Sequence, residues 1–150
     1  MPHTLVGLYV HVVFSTKNRA PWITTEIERG LYPFVGSVVR RLDCVLLASN
    51  GTADHSHLLL SLVATANIAA LVREVKKSSS RWIKESFSSA TEFGWQDGYG
   101  AFSVSESNLD RVRSYIARQK EHHARKSFED EYRSLARKHR LAFDERFLFG

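Results

Sequence analysis

An α+β protein built on an antiparallel sheet is what this sequence predicts, and three observations carry the prediction. Short runs rich in β-branched and aromatic residues alternate with longer runs whose apolar residues recur at helical spacing. Two of the strand-like runs are neighbours with only a tight-turn signal between them, whereas the others are separated by helical runs. No Gly-, Ser- or Pro-rich tract divides the 150 residues, 43% of which are hydrophobic, so a single domain with a real core is expected over residues 1–150.

Residues 5–14, LVGLYVHVVF, have no helical period and read as the first strand, which ends before a basic loop at residues 17–19. Thr24 or Thr25 can cap a helix running to about Leu42, with Ile27, Leu31, Phe34, Val35, Val38 and Val39 as its apolar face; Pro33 predicts a bend or a late start. Residues 43–50 and 54–63 read as the second and third strands, joined by a tight turn at Asn50 and Gly51. Asn67 opens a second helix striped by Ile68, Leu71, Val72 and Val75, which Trp82 and Ile83 extend to about Glu85. A loop containing Gly94, Gly98 and Gly100 then leads into a fourth strand, AFSVS.

Strand, helix, strand, strand, helix, strand is the order of a ferredoxin-like split βαβ sandwich, here over about residues 5–105. Such a sheet carries helices on one face and leaves the other free for a ligand or a second subunit. Beyond this core a helix is expected from Ser107 to about Arg125, with Leu109, Val112, Ile116 and Ala117 at helical spacing and Ser107 with Asp110 as a capping box. A C-terminal helix and tail occupy about residues 127–150, the helix over 127–139 and then the aromatic end FLFG.

Twenty-one Lys and Arg against sixteen Asp and Glu leave a formal net charge of +5, which favours a polyanionic partner. The cations cluster. Arg73, Lys76, Lys77, Arg81 and Lys84 crowd the second helix, and Arg111, Arg113, Arg118, Lys120, Arg125 and Lys126 the one after the fourth strand. Lys17, Arg19, Arg73, Lys76, Lys77, Arg81, Arg118 and Lys126 are the candidates for holding phosphates by charge, without sequence preference. The single Cys44 excludes an intramolecular disulfide framework and suits a reducing cytoplasm. No secretory leader pattern and no apolar run of bilayer length is seen, which predicts a protein neither secreted nor membrane-embedded.

The stretch DHSHLLLSL places His55 and His57 two residues apart at the start of the third strand. Alternate side chains of a strand share a face, so both imidazoles point one way from a rigid platform, as a divalent-metal site requires. Seven histidines in this length give roughly 0.3 such pairs by chance, so the pair needs a partner. YIARQKEHH supplies one. At about 100° per residue, Tyr115, Gln119, His122 and Lys126 fall on one stripe of their helix. A Tyr-x-x-x-Gln pair is expected only about 0.07 times by chance.

Other residues read less sharply. His122 and His123 are either supports for the metal ligands or phosphate contacts, or else polar residues on an exposed helix side. Asp54 either orients a ligand histidine or caps the turn, and His11, alone on its strand, reads as a hydrogen-bonded neighbour and not a ligand. Tyr9, Tyr32, Tyr99 and Tyr132 read as packing or interface residues. Trp82 reads as core, and Trp95 as a side chain that could stack on an unpaired base.

In order along nearly the whole chain, HVVFSTKNR, DHSHLLLSL, SSRWI, WQDGYGAFSVS, YIARQKEHH and DERFLFG resemble the HUH-type transposases with one catalytic tyrosine. These are the IS200/IS605-like group of bacterial insertion sequences and its repeat-associated relatives. The resemblance implies that His55, His57 and Gln119 bind the metal and that Tyr115 is the nucleophile. It also implies single-stranded DNA hairpins at element ends as substrates, and a homodimer in which the tyrosine helix of one subunit can complete the metal site of the other. One residue departs from the family pattern: Ser56, between the histidines, stands where a bulky hydrophobic side chain is usual. It faces away from the metal, so a packing change is expected and not lost ligation.

The expected chemistry is attack of Tyr115 on a phosphodiester, giving a 5′-phosphotyrosine and a free 3′-hydroxyl. A mixed nitrogen and oxygen ligand set suits Mg²⁺ or Mn²⁺. Two rivals share the fold: a catalytically silent DNA- or RNA-binding regulator, and a metal-dependent phosphodiesterase that uses water and has no need of Tyr115.

Overall fold

The computed structural model describes residues 4–146 and 148–150. Strands β1 (Tyr9–Ser15), β2 (Val45–Thr52), β3 (His55–Ser61) and β4 (Gly100–Val104) form one sheet in the order β2-β3-β1-β4, with every neighbouring pair antiparallel. Helix α1 (Thr25–Arg41) joins β1 to β2 and α2 (Ile68–Ser86) joins β3 to β4, which is the ferredoxin-like order expected. Helices α3 (Leu109–Ala117), α4 (Gln119–His123) and α5 (Phe128–Lys138) follow.

Both crossover helices start where the sequence places caps. Thr24 Oγ1 accepts from the Ile27 N–H at 3.2 Å and Asn67 Oδ1 from the Ala70 N–H at 3.0 Å. Pro33 lies inside α1, which begins at Thr25 and not after the proline. Val10, Val12 and Phe14 of β1 and Leu58 and Leu60 of β3 meet the apolar stripes of α1 and α2 in the main core. Trp82 stacks on Phe34 at 5.4 Å between ring centroids. Trp95 is buried against Phe14 and Phe93 and donates its indole N–H to Ser79 Oγ at 3.0 Å, so it is a core residue and offers no face to a base.

The hairpin turn is not where the dipeptide signal put it. Asn50 and Gly51 lie within β2, opposite His57 and Ser56, and the turn falls at Ala53 and Asp54. Tertiary bonds override local turn preference here: the Asp54 carbonyl accepts from the Thr16 N–H at 2.8 Å and the Ala53 carbonyl from the Ile23 N–H at 2.9 Å. Among the described glycines none has a positive φ, so Gly51 is not used for a left-handed turn. Its role is close approach, because a Cβ there would overlap the His55 carbonyl and sit 2.7 Å from the Tyr32 hydroxyl oxygen. Ser56 Oγ lies 2.9 Å from that same hydroxyl, on the α1 side of the sheet and away from the histidines, as expected.

Three further expectations give way. Strand β1 begins at Tyr9, and Leu5, Val6 and Leu8 are exposed. The predicted capping box is not made: Asn108 precedes α3 without a side-chain cap, and Ser107 Oγ instead lies 3.0 Å from Ser105 Oγ. The second sheet face is covered by the chain itself. Val13 and Phe102 pack there against Phe128 and Tyr132 of α5, with Leu135, Leu148 and Phe149 around them. An apolar stripe on α5 has to be buried somewhere, and this face is the partner surface it finds.

Replacing Gly51 by Ala should lower stability by about 1–3 kcal/mol, read from the denaturant midpoint, since the added methyl has to displace backbone of β3. An unchanged midpoint would mean that β2 and β3 do not sit this close.

Candidate active site

Strand parity delivers both histidines to the covered face, buried and with ring centroids 5.2 Å apart. Their far nitrogens are already engaged. His55 Nδ1 donates to Asp54 Oδ1 at 2.7 Å, with Thr52 Oγ1 at 2.9 Å, so Asp54 orients this ring and also accepts from Thr52 within the turn. His57 Nδ1 lies 2.7 Å from His11 Nε2, which makes His11 the hydrogen-bonded neighbour anticipated. Both rings therefore turn Nε2 toward the C-terminal helices.

The helix expected from Ser107 to Arg125 is broken at Arg118, whose φ of −100° and ψ of 21° separate α3 from α4. A helix end leaves carbonyls without partners, and Asn50 supplies them from β2: its Nδ2 donates to the Ile116 and Ala117 carbonyls at 3.0 and 3.2 Å. Lys120, just past the break, donates to Glu28 Oε1 at 2.6 Å and to Asn50 Oδ1 at 3.0 Å. So fastened, α3 and α4 aim Tyr115 and Gln119 at the histidines of the same chain. Gln119 is fully buried, with Oε1 3.1 Å from His55 Nε2. The stripe does not run on beyond: Lys126 turns to Ser134 Oγ at 2.8 Å.

One residue at the centre was not singled out from the sequence. Glu131 of α5 is 1% exposed and accepts four hydrogen bonds: from His57 Nε2 at 3.0 Å and His123 Nε2 at 2.8 Å on Oε1, and from Gln119 Nε2 at 3.1 Å and the Tyr115 hydroxyl on Oε2. A readable signal existed, because Phe128, Glu131, Tyr132, Leu135 and Ala136 share the i, i+3, i+4 stripe of α5 and a carboxylate on an apolar stripe demands a partner. His123 thus joins the cluster. His122 sits beside Tyr115, ring centroids 5.3 Å apart, with Nε2 buried and without a hydrogen bond.

Burial by itself would raise the Glu131 carboxyl, but the hydrogen bonds from His123 and His57 hold it far below the usual carboxylate range. Burial, and then the facing Glu131 charge, push the Tyr115 phenol up and favour its protonated form. The donor set fits a divalent ion. Gln119 gives its amide N–H to Glu131 and so turns Oε1 to His55, whose Nδ1–H is given to Asp54. His55 Nε2 and Gln119 Oε1 stand 3.1 Å apart, the spacing of two ligand atoms around one ion. His55, His57, His123 and Glu131 each offer a ligand atom within 4.8 Å of the others.

The candidate phosphate-binding cations divide between two sides of the molecule. Arg73, Lys77 and Arg81 are exposed on α2, across the sheet from Tyr115, and Lys76 is committed to the carbonyls of Gln96 and Gly98 at 2.8 and 2.6 Å. Lys17 is exposed beside β1, and Arg19 lies 3.4 Å from Glu129 and over the Phe149 ring. Arg118 instead lines both grooves that meet at Tyr115, one with Arg111, Lys138 and His139 and one with Arg125 and Lys126.

Burial lowers His57 to about 4, and burial together with His57 lowers His11 to about 3, both from an ordinary 6.5. The unfolded chain then binds more protons than the folded one below pH 6.5. Stability contributed by neutral imidazoles is full above that pH and is lost as pH falls toward 4, at about 1.4 kcal/mol per pH unit for each ring. Urea unfolding of chelator-treated protein should show a drop of roughly 2–4 kcal/mol from pH 7.5 to pH 5, and His11→Gln should flatten it. Higher stability at pH 5 would mean the rings are charged in the fold.

A model of the IS200-like transposase family matches residues 4–119. The transposase of insertion sequence element IS200 from Salmonella typhimurium is 28% identical over 131 residues, covering 81% of this chain and 82% of that protein. The ISDra2 transposase TnpA of Deinococcus radiodurans is 25% identical over 117 residues, covering 75% and 84%. Among solved structures, a candidate transposase from Deinococcus radiodurans superposes with a TM-score of 0.66 at 23% identity, over 79% of this chain and 95% of that one. A REP-associated tyrosine transposase bound to a REP hairpin gives 0.62 at 16% identity, over 82% and 72%. The two superpositions speak to the fold, and the match over most of the chain's length settles the kinship: this chain belongs to the IS200-like transposase family.

Proposed function

We propose that this transposase cleaves and rejoins single-stranded DNA at hairpin-flanked ends by transesterification through Tyr115. The observation that carries the reading is the placing of Tyr115, its ring 5.9 Å from that of His57 and its hydroxyl on Glu131, beside the convergent His55, His57 and Gln119. Mg²⁺ or Mn²⁺ held by those three residues would polarise the scissile phosphate and offset the Glu131 charge that keeps the phenol protonated. Tyr115 Oη gives up its proton as it attacks the phosphorus, the bond to the 3′-oxygen breaks, and that oxygen takes up a proton and leaves as a 3′-hydroxyl while the 5′-phosphate stays on the tyrosine. Because the phosphodiester energy is kept in the phosphotyrosine, a second 3′-hydroxyl can reverse the step and join a new end without a nucleotide cofactor.

Arg118 and the cations of the two adjoining grooves support a strand passing over Tyr115, holding phosphates by charge. A hairpin partner accords with the structural neighbour that is bound to a REP hairpin. Among the described residues no helix is long and apolar enough to cross a membrane. The assembly we propose is a homodimer, in which the tyrosine helix of one subunit can complete the metal site of the other.

Incubation with end-labelled hairpin-bearing single strands from the flanks of its own gene, with Mg²⁺ or Mn²⁺, should give a covalent adduct on the 3′ fragment in a denaturing gel. Tyr115→Phe and chelation should each abolish it. Cleavage that survives Tyr115→Phe would show a water-dependent phosphodiesterase, and tight binding with no cleavage in either metal would show a silent regulator.

A further inference from the structure

We propose that Glu131 is itself a ligand of the divalent centre, an anionic one delivered by α5, and that the same carboxylate ties the Tyr115 hydroxyl to the ion. The inference deepens the strand-transfer reading and rests on it for its reaction, but its test reads metal and not DNA.

Geometry is the first support. Glu131 Oε1 lies 3.0 Å from His57 Nε2, 3.6 Å from His55 Nε2 and 2.8 Å from His123 Nε2. Ligand atoms about 2.1 Å from a shared ion stand about 3–3.5 Å from one another, so these atoms already have the spacing of a coordination shell. His57 can serve without moving, because His11 Nε2 can accept the proton that His57 carries on Nδ1 when its Nε2 turns a lone pair to the ion.

Fold economy is the second. A carboxylate on the apolar stripe of α5, 1% exposed, is costly to bury, and a hydrophobic side chain of similar volume would serve the packing against Val13 and Phe102 as well or better. A structural ion pair would need one cation; Glu131 instead meets two imidazoles, an amide and a phenol, which are the candidate ligands and the candidate nucleophile. Position is the third. The match to the transposase family ends at Gln119, and Glu131 lies twelve residues beyond it, so this ligand belongs to the C-terminal segment and is not carried by the family match. A carboxylate added to two imidazoles and an amide also hardens the site toward oxygen-preferring ions such as Mn²⁺.

The experiment is a Mn²⁺ titration of the full chain by calorimetry, with the free ion counted by electron paramagnetic resonance. Wild type should bind one ion, Glu131→Gln should bind at least about tenfold more weakly, and Tyr115→Phe should stay within about twofold of wild type. Glu131→Gln binding within twofold of wild type overturns the inference, and strand transfer through His55, His57 and Gln119 stands. If wild type binds no Mn²⁺, the inference and the metal part of the strand-transfer reading fall together. Should circular dichroism show that Glu131→Gln does not fold, hydrogen exchange on wild type decides. Added Mn²⁺ must slow amide exchange in α5 as well as β3, and slowing confined to β3 overturns the inference.

Discussion

A carboxylate buried among imidazoles organises this molecule. Glu131 reaches across from α5 to the sheet and satisfies its lone pairs on side chains from β3, α3 and α4 at once. Removing a charge from water costs several kcal/mol unless it is fully hydrogen-bonded, so the groups around Glu131 must be held in place before it can be buried. Everything that holds them, from the Asp54 turn to the Asn50 clasp, follows from that requirement.

The two faces of the sheet divide the labour. One packs Val10, Val12, Phe14, Leu58 and Leu60 against α1 and α2 and is almost wholly apolar, a scaffold that fixes strand register. The other carries the polar groups, and a rigid strand behind them means that a shift of one residue would send both histidines into the apolar core. Register is therefore the link between packing and chemistry. Gly51 belongs to that link, because its lack of a side chain lets β2 lie against β3 with Asn50 and Thr52 opposite the two histidines.

The break at Arg118 shows how tertiary structure rewrites a helical pattern. A continuous helix would have kept Tyr115, Gln119, His122 and Lys126 on one stripe; the break keeps Tyr115 and Gln119 in the site and releases Lys126 to α5. The carbonyls freed at the break become the acceptors for Asn50, a residue whose propensity pointed to a turn. Its use as a clasp is invisible locally, because the partner carbonyls lie 66 and 67 residues away in the chain.

Read alone, the sequence determined the order of strands and helices, the shared face of His55 and His57, the tyrosine and glutamine one turn apart, and the kinship with a transposase family. Each is a local property: strand parity, helical period and short motifs act over a few residues and are written in the order of side chains. Tertiary structure decided the position of the hairpin turn, the break in the tyrosine helix, the covering of the second sheet face, and the entry of Glu131 and His123 into the site. Those depend on hydrogen bonds and buried surfaces between segments far apart in the chain, where several kcal/mol of burial and pairing outweigh preferences of about 1 kcal/mol per residue.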